Sequence, residues 1–361
     1  MTSTYKIPIG PLHVALEEPM YFKIELQGET IAGVEITAGH VHRGIEYLTT
    51  KRNFTQNIIL TERVCSLCSN SHPSTFCMAL EEIAGIEIPE RAEFLRTVAD
   101  ETKRIASNLF NVGILAHILG FDTLFMHVME IREIMQDVKE SIFGNRMDLG
   151  ANCIGGVRFD LDATQQEYLK SQLNRVEPLL KEVRHLYETN RTILSRTRGV
   201  GVLSREQALE LGLVGPVARG SGVAYDVRTK APYAAYDRLD VEVVTQPDGD
   251  IWSRAMVRIR EAQVALDLLR QCMDRMPEGP VTSSAFPEVP SGEAIAKSEA
   301  PRGELIYYLR TDGTDKPARL KWRVPSYMNW SALSPMMKGN KVSDVPLIVN
   351  SIDPCISCTE R

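Results

Sequence analysis

Two Cys-x-x-Cys pairs near opposite ends of this 361-residue chain constrain its fold more than any other feature. The first pair is Cys65 and Cys68, and the second is Cys355 and Cys358. A tight turn within such a pair directs both thiolates toward one metal ion. The two pairs can form one metal-binding set only if the two ends of the chain meet in the fold. We therefore predict a buried metal centre that is completed by the C-terminal end of the sequence.

The composition is typical of a soluble globular protein. Hydrophobic residues make up 43% of the chain and charged residues 24%, and the length allows one domain with a large core. The net charge of -6 argues against nucleic acid as a partner. Seven cysteines in a chain of this length indicate cytosolic thiols, some of them metal ligands, rather than a disulfide framework. Outside the two pairs, the predicted buried core thiols are Cys77, Cys153 and Cys272.

The spacing of apolar residues predicts a mainly α fold, with small β elements at both ends of the chain. Residues 21–26 and 31–36 are predicted strands on either side of a turn at Gly28. Asp122 is the predicted N-cap of a helix that ends at Gly144. Four helices indicate a bundle core, and they are predicted over residues 90–111, 123–142, 164–196 and 250–275.

We expect a single domain with three parts. Residues 1–60 are predicted to be β-rich, residues 90–276 to form the helical bundle, and residues 277–361 to form an irregular α/β segment that completes the metal site. The glycine- and proline-rich residues 212–222 are predicted to be loop. Short strands are predicted over residues 305–309 and 320–324.

The longest charge-free stretch worth testing as a membrane span is residues 105–121. It contains polar side chains and is shorter than the usual spanning length, so we predict a buried core helix there.

A structural zinc site is one interpretation of two Cys-x-x-Cys pairs. In structural zinc modules the two pairs usually lie a few tens of residues apart, whereas 287 positions separate Cys68 from Cys355 here. Zinc that joins the two ends of the chain stays open as an alternative on the spacing alone.

The residues that flank the two pairs distinguish between these interpretations. The first pair lies in the sequence RVCSLCSNSH at residues 63–72, and the second lies in DPCISC at residues 353–358. Together they resemble the two signature motifs of the nickel–iron hydrogenase large subunit, Arg-x-Cys-x-x-Cys-x-x-x-His and Asp-Pro-Cys-x-x-Cys. Ser66 departs from many relatives, which have glycine at that position.

The resemblance extends over nearly the whole chain. The segments HRGIE at residues 42–46, APRG at residues 300–303 and VPS at residues 324–326 look like further motifs of the same family. Residues 213–236 and the sequence ERVC at residues 62–65 are similar to the quinone-site subunit of respiratory complex I. This mixture points to the membrane-bound, energy-converting branch of the hydrogenases, of the Ech or CO-induced type.

The resemblance implies a binuclear centre held by all four cysteines. Cys65 and Cys355 would be terminal nickel ligands, while Cys68 and Cys358 would bridge nickel to iron. The iron would carry carbon monoxide and cyanide ligands. A further magnesium ion is left open.

The resemblance also implies roles for residues around the metals. Arg302 and Ser326 would donate to the diatomic ligands, and Pro301 would form the wall of their pocket. Heterolytic cleavage of H2 needs a nearby base, and Glu46 is the predicted proton carrier, acting through Cys355. The other polar residues predicted around the centre are His72, as a donor to a bridging sulfur, Asp353 and, more loosely, Asp122.

Electrons must leave through a partner, because the three remaining cysteines are too few and too scattered for an iron–sulfur cluster. The resemblance implies a small subunit with a proximal 4Fe–4S cluster, ferredoxin-like subunits, integral membrane ion-pumping subunits, and ferredoxin as electron source. The chain would then lie peripherally on the cytoplasmic side of the cell membrane. A non-catalytic quinone-site or scaffold subunit of the complex I type is the alternative, but that branch is expected to have lost the four cysteines.

Overall fold

The computed structural model describes residues 4–13, 16, 18–283 and 288–361, and it begins with a three-stranded antiparallel sheet. The strands, in spatial order, are β1 (Thr4–Ile9), β2 (Tyr21–Gln27) and β3 (Thr30–Thr37). The predicted hairpin between β2 and β3 is confirmed, and Gly28 in its turn has a φ of 62°, which glycine adopts without strain. The alternate side chains of Phe22, Ile24 and Leu26 are buried, so this face of the sheet packs on the core.

The chain becomes helical from residue 45, earlier than the expected boundary at residue 60. Three helices follow the sheet: α1 (Ile45–Thr49), α2 (Phe54–Glu62) and α3 (Ser71–Ala84). A capping box between Asn53 and Gln56 begins α2, since each side chain bonds the other residue's backbone N–H. The buried side chains of Phe54, Ile58 and Thr61 recur at helical spacing on one face.

The central part is the predicted bundle, and the mainly α fold class is confirmed. The helices α4 (Glu90–Ile118) and α5 (Asp122–Phe143) are followed by a small hairpin of β4 (Asn152–Cys153) and β5 (Gly156–Val157). The chain continues through α6 (Ala163–Thr189), α7 (Arg191–Thr197), α8 (Arg205–Glu210), α9 (Gly215–Arg219), α10 (Val227–Lys230) and α11 (Ile251–Arg275). Helix α4 is buried along most of its length, because it packs against both α5 and α11. Residues 105–118 belong to α4, so the prediction of a buried core helix there is confirmed.

Three local predictions in the bundle are wrong. The helix predicted over residues 164–196 breaks at Asn190, whose side chain accepts hydrogen bonds from the backbone N–H groups that begin α7. Asp122 is not the N-cap of α5. It lies in the first turn, where its carboxylate accepts a hydrogen bond from His117 Nδ1 at 2.7 Å. The segment 212–222 is not all loop, because Pro216 stands in the first turn of the short helix α9.

The C-terminal part is a second three-stranded antiparallel sheet followed by short helices. Its strands are β6 (Ser291–Ala300), β7 (Gly303–Asp312) and β8 (Arg319–Arg323), and α3 packs against β6 and β7. The strands predicted over residues 305–309 and 320–324 are thus confirmed in substance, but β6 was missed. Its inward side chains are small, as at Ala294, Ala296 and Ser298, and therefore give no β-branched signal. The helices are α12 (Pro325–Asn329), α13 (Leu333–Met337), α14 (Val345–Ser351) and α15 (Ile356–Glu360).

The buried apolar residues that the structure describes form two clusters. The larger lies among the bundle helices and the first sheet. The smaller lies between α3 and the second sheet, and it contains all four cysteines of the two pairs. Among the helices of the described residues, none combines the length and the apolar character that a membrane crossing requires.

Candidate metal centre

The two cysteine pairs meet in the structure, although they come from opposite ends of the sequence. Cys65 and Cys68 lie in the turn between α2 and α3, Cys355 immediately precedes α15, and Cys358 lies within it. All four are buried free thiols. The Sγ atoms of Cys65 and Cys355 are 3.0 Å apart, and those of Cys65, Cys355 and Cys358 all lie within 4.8 Å of one another.

Protein donors surround the thiols. His72 Nε2 lies 3.3 Å from Cys358 Sγ, and Arg302 Nη1 lies 3.6 Å from Cys68 Sγ. The backbone N–H of Leu67 donates to Cys65 Sγ at 3.3 Å. Such donors stabilise negative charge on sulfur, so the cluster is suited to thiolates.

The thiols differ in acidity because hydrogen bonds among them and burial affect each pKa differently. Hydrogen bonds with Cys358 and Cys65 lower the pKa of Cys355 to about 6, whereas burial raises the pKa of Cys358 well above its ordinary value. Burial also lowers the pKa of His72 to about 4, so its imidazole is neutral at pH 7. A bound cation would displace the remaining thiol protons, which makes metal binding dependent on pH.

The guanidinium of Arg302 is buried and held by Asp353 from the second cysteine motif. Its Nε donates to the Asp353 carbonyl at 2.8 Å, and its Nη2 donates to Asp353 Oδ1 at 2.7 Å. Nη1 also donates to Ser107 Oγ at 3.3 Å. Asp353 has a φ of 54°, in the left-handed region that few residues other than glycine, Asn and Asp adopt. Pro301 is buried in the same turn between β6 and β7.

Two glycines fix the depth of Arg302 in the structure. Gly215 and Gly303 have φ values of 67° and 127°, and their backbones are in contact. A Cβ atom added at Gly215 would lie 2.2 Å from the carbonyl oxygen of Arg302, which no side chain can tolerate. This contact joins the segment of α9 directly to the hairpin that carries Arg302.

Ser326 and Glu46 lie at the edges of the cluster. The hydroxyl of Ser326 accepts a hydrogen bond from the backbone N–H of Cys355 at 3.0 Å, so it fixes the second motif. Glu46 lies on α1, where its carboxylate accepts from Arg361 Nε at 2.8 Å and lies 3.6 Å from Lys321 Nζ. The structure therefore brings the other predicted site residues together, whereas Glu46 is paired with Arg361 and Lys321. Asp122 lies on the exposed end of α5, and its expected place in the polar shell is not supported.

Sequence reasoning missed several residues around the centre. Tyr307 OH lies 2.7 Å from His72 Nδ1, and the phenol ring stacks on Trp322 with centroids 5.2 Å apart. Ser107 supports Arg302, and Lys103 bonds the turn of the first pair. Tyr307 occupies an inward strand position, which is the one signal that could have indicated it. The other two look like ordinary residues of a long helix.

A cleft of about 470 Å³ opens beside Cys65 and Cys355. Its lining includes the side chains of Arg43, Arg63 and Arg132. Cys65 and Cys355 are thus the two cysteines of the set that line this cleft.

The donor set fits a nickel–iron centre, since four buried soft thiolates with charged and neutral hydrogen-bond donors are what such metals prefer. Fold and site define the class of the large subunit of nickel–iron hydrogenases. A model of the nickel-dependent hydrogenase family matches residues 43–115. A model of the respiratory-chain NADH dehydrogenase 49 kDa subunit matches residues 119–287 and 284–361.

Two relatives that match over nearly the whole chain are hydrogenase proteins by name. The chain is 66% identical to the carbon monoxide-induced hydrogenase of Rhodospirillum rubrum, over 99% of this chain and 100% of that protein. It is 39% identical to the membrane-bound hydrogenase subunit alpha of Pyrococcus furiosus, over 99% of this chain and 87% of that protein. A chain of the membrane-bound sulfane sulfur reductase, an archaeal respiratory membrane complex, superposes with a TM-score of 0.94 at 32% identity, covering 99% of this chain and 98% of that chain.

The chain therefore belongs to the nickel–iron hydrogenase large-subunit family, in the membrane-bound, energy-converting branch that is related to the 49 kDa subunit of respiratory complex I. It is an oxidoreductase subunit, as the sequence motifs predicted.

Proposed function

We propose that this chain is the catalytic subunit of an energy-converting hydrogenase that interconverts H2 with two protons and two electrons. The electrons come from ferredoxin, and partner subunits use the free energy to translocate ions across the membrane. The observation that carries the proposal is the convergence of four buried thiols from the two ends of the chain. The printed names of the full-length hydrogenase relatives support the same reaction.

The four cysteines would hold a nickel–iron centre. Cys65 and Cys355 would be terminal nickel ligands, and Cys68 and Cys358 would bridge the two metals. The pattern of donors supports this assignment. The charged side chain of Arg302 faces Cys68 Sγ, the neutral imidazole of His72 faces Cys358 Sγ, and these two sulfurs are the proposed bridges. When bound, the centre with its carbon monoxide and cyanide ligands supplies the heterolytic cleavage of H2. Arg302 and Pro301 line the buried side, where the diatomic ligands need an apolar pocket with few donors.

His72 and Tyr307 form a relay of hydrogen bonds behind Cys358. A neutral imidazole carries one N–H, and a thiolate accepts but does not donate. The Tyr307 hydroxyl therefore donates to Nδ1, and Nε2–H donates to Cys358 Sγ. Tyr307 thus fixes the tautomer that stabilises negative charge on a bridging sulfur.

Protons leave through Cys355 and Glu46 in this proposal. Hydrogen bonds with Cys358 and Cys65 lower the pKa of the Cys355 thiol, which suits a group that takes up and releases a proton. Glu46 then carries the proton outward. Its carboxylate forms an ion pair with Lys321, whose side chain is 54% exposed.

Electrons arrive from a partner subunit at the cleft beside Cys65 and Cys355. In the described ranges, the only group of three or more metal-binding side chains is that of Cys65, Cys355 and Cys358, so the 4Fe–4S clusters belong to partners. Arginines at the cleft suit an acidic partner surface. In the proposed assembly this chain lies peripherally on the cytoplasmic side of the membrane, and the names of the membrane-bound relatives support its association with a membrane complex.

Infrared spectroscopy of the purified complex tests the proposal. We expect bands from bound carbon monoxide and cyanide, nickel and iron by elemental analysis, and H2 production from reduced ferredoxin. A Cys358→Ser variant should lose the bands and the activity. Zinc alone would identify a structural zinc protein instead. Absence of any metal would favour a complex I-like scaffold subunit, a role that the match over residues 119–361 would also allow.

A further inference from the structure

A second charged cluster lies behind the first cysteine pair, outside the proposed ligands. It joins Lys103 on α4, Lys139 on α5 and Asp148 in the loop that follows α5. Asp148 Oδ1 lies 3.0 Å from Lys103 Nζ and 3.5 Å from Lys139 Nζ. The three side chains are 3%, 2% and 0% exposed, in the order Lys103, Lys139, Asp148. Two ammonium groups share one carboxylate, so the cluster carries an excess of positive charge.

Lys103 extends from this cluster to the backbone of the cysteine turn. Its Nζ donates to the carbonyl oxygen of Ser66 at 3.0 Å and to Ser69 Oγ at 2.7 Å. With Asp148, these two partners use all three donors of an ammonium group. Ser66 stands between Cys65 and Cys68, so the ammonium binds the turn that presents both thiols.

The neighbouring charges leave this excess in place. Glu62 interacts with Asp148 and Arg132 interacts with Lys139, and because these two side chains have opposite charges, their effects on the net charge of the cluster oppose each other. Burial lowers the pKa of Lys139 to about 7, so that residue keeps its charge below neutral pH. Removing two ammonium groups from water is strongly unfavourable unless they are well paired, so both lysines depend on Asp148, and Lys103 depends in addition on the cysteine turn.

Resting on the proposed function, we infer that Lys103, supported by Asp148, is a positioning residue for the metal centre. It holds the Cys65–Cys68 turn in place, and its charge withdraws electron density from the two thiolates. The ammonium group is 3.0 Å from the carbonyl oxygen of Ser66, which directly follows Cys65, and in a buried site its attraction for the thiolates is weakly screened. The expected result is a centre that accepts electrons more readily than one without the ammonium group.

Infrared spectra of the whole complex, recorded at pH 6, test this role. Lys103→Met removes both the charge and the hydrogen bonds, so the carbon monoxide and cyanide bands should shift to lower wavenumber, because iron then donates more electron density to these ligands. Lys103→Arg should restore the wild-type positions. Lys139→Met is the matched control, since it removes the same charge from the same cluster without touching the cysteine turn, and its shift should be less than half as large.

Two results would overturn the inference. One is wild-type band positions in Lys103→Met, and the other is an equal shift in Lys139→Met. If Lys103→Met does not retain nickel, Lys103→Gln carries the test, because its amide can still donate to Ser66 while the charge is lost. Bands missing from the wild-type complex would refute the proposed function itself, which separates the two failures.

Discussion

Replacing Glu46 by glutamine should slow proton transfer sharply while leaving the protein folded and loaded with metal. Glutamine has nearly the same shape as glutamate and can still accept a hydrogen bond from Arg361. It cannot take up a proton at neutral pH. The perturbation therefore separates the chemical role of Glu46 from its structural contacts.

The expected magnitudes follow from the contacts of Glu46. Its side chain is 18% exposed and makes two ion pairs, one with Arg361 at 2.8 Å and one with Lys321 at 3.6 Å. Pairs near the surface contribute about 0.2–1 kcal/mol each, so the free energy of unfolding should fall by less than about 2 kcal/mol. General acid–base groups contribute roughly 10²–10⁴-fold to rates, so H2/D+ exchange should fall by that factor.

The assay is H2/D+ exchange on the purified complex, with nickel content and infrared bands measured on the same sample. Glu177→Gln is the control, because Glu177 on the distant helix α6 also makes two ion pairs, with Lys181 of the same helix and with Arg270 of α11. That variant should exchange at the wild-type rate. Undiminished exchange in Glu46→Gln, with metals bound, would refute the assignment of the proton carrier. Loss of nickel would show that the role of Glu46 is structural.

Three further predictions concern the surroundings of the site and the bundle. Tyr307→Phe removes the partner of His72 Nδ1, so the infrared bands should shift although nickel content stays unchanged. Burial raises the pKa of Asp100 to about 7, above the ordinary 3.8, so the folded state holds a proton that the unfolded state releases between these values. The free energy of unfolding of the wild-type protein should therefore fall as pH rises from about 4 to 7, by up to about 1.4 kcal/mol per pH unit. Chemical denaturation at several pH values should show a smaller fall in Asp100→Asn. Asp250 accepts from the backbone N–H of Ser253 at 2.8 Å at the start of α11, so Asp250→Ala should lower the free energy of unfolding by about 1–2 kcal/mol.

Each of these predictions has a contrary outcome. Unmoved bands in Tyr307→Phe would show that the tautomer of His72 is fixed by another group. Parallel stability curves for the wild type and Asp100→Asn between pH 4 and 7 would contradict a raised carboxyl pKa. An unchanged midpoint of unfolding in Asp250→Ala would mean that water replaces the hydrogen bond from Ser253 with no loss of stability.

Local periodicity was sufficient to predict the long helices and the first hairpin. The spacing of Leu169, Leu173 and Val176 on one face is a property of the sequence itself, and all three are buried in α6. The break at Asn190 and the strand β6 were not predictable in the same way. In the first case a side chain competes for backbone hydrogen bonds, and in the second the inward residues are too small to mark a strand.

The candidate site was predictable where motifs carry it and unpredictable where tertiary contacts create it. The four cysteines, His72 and Arg302 lie in contiguous motifs, which a reader of the sequence can see. Tyr307 and Lys103 reach the site from a strand and from the middle of α4. Their roles depend on the packing of α3 against the second sheet and of α4 beside the first cysteine turn, which no local pattern encodes.

Because the two cysteine pairs are far apart in the sequence, the ribosome makes one of them well before the other. Cys65 and Cys355, whose sulfurs are 3.0 Å apart in the folded chain, are 290 residues apart in the sequence. At synthesis rates of about 5–20 residues per second, roughly 15–60 s pass between the emergence of one and of the other from the ribosome. During that interval the first pair has no partner thiols and must escape oxidation and the capture of stray metal ions.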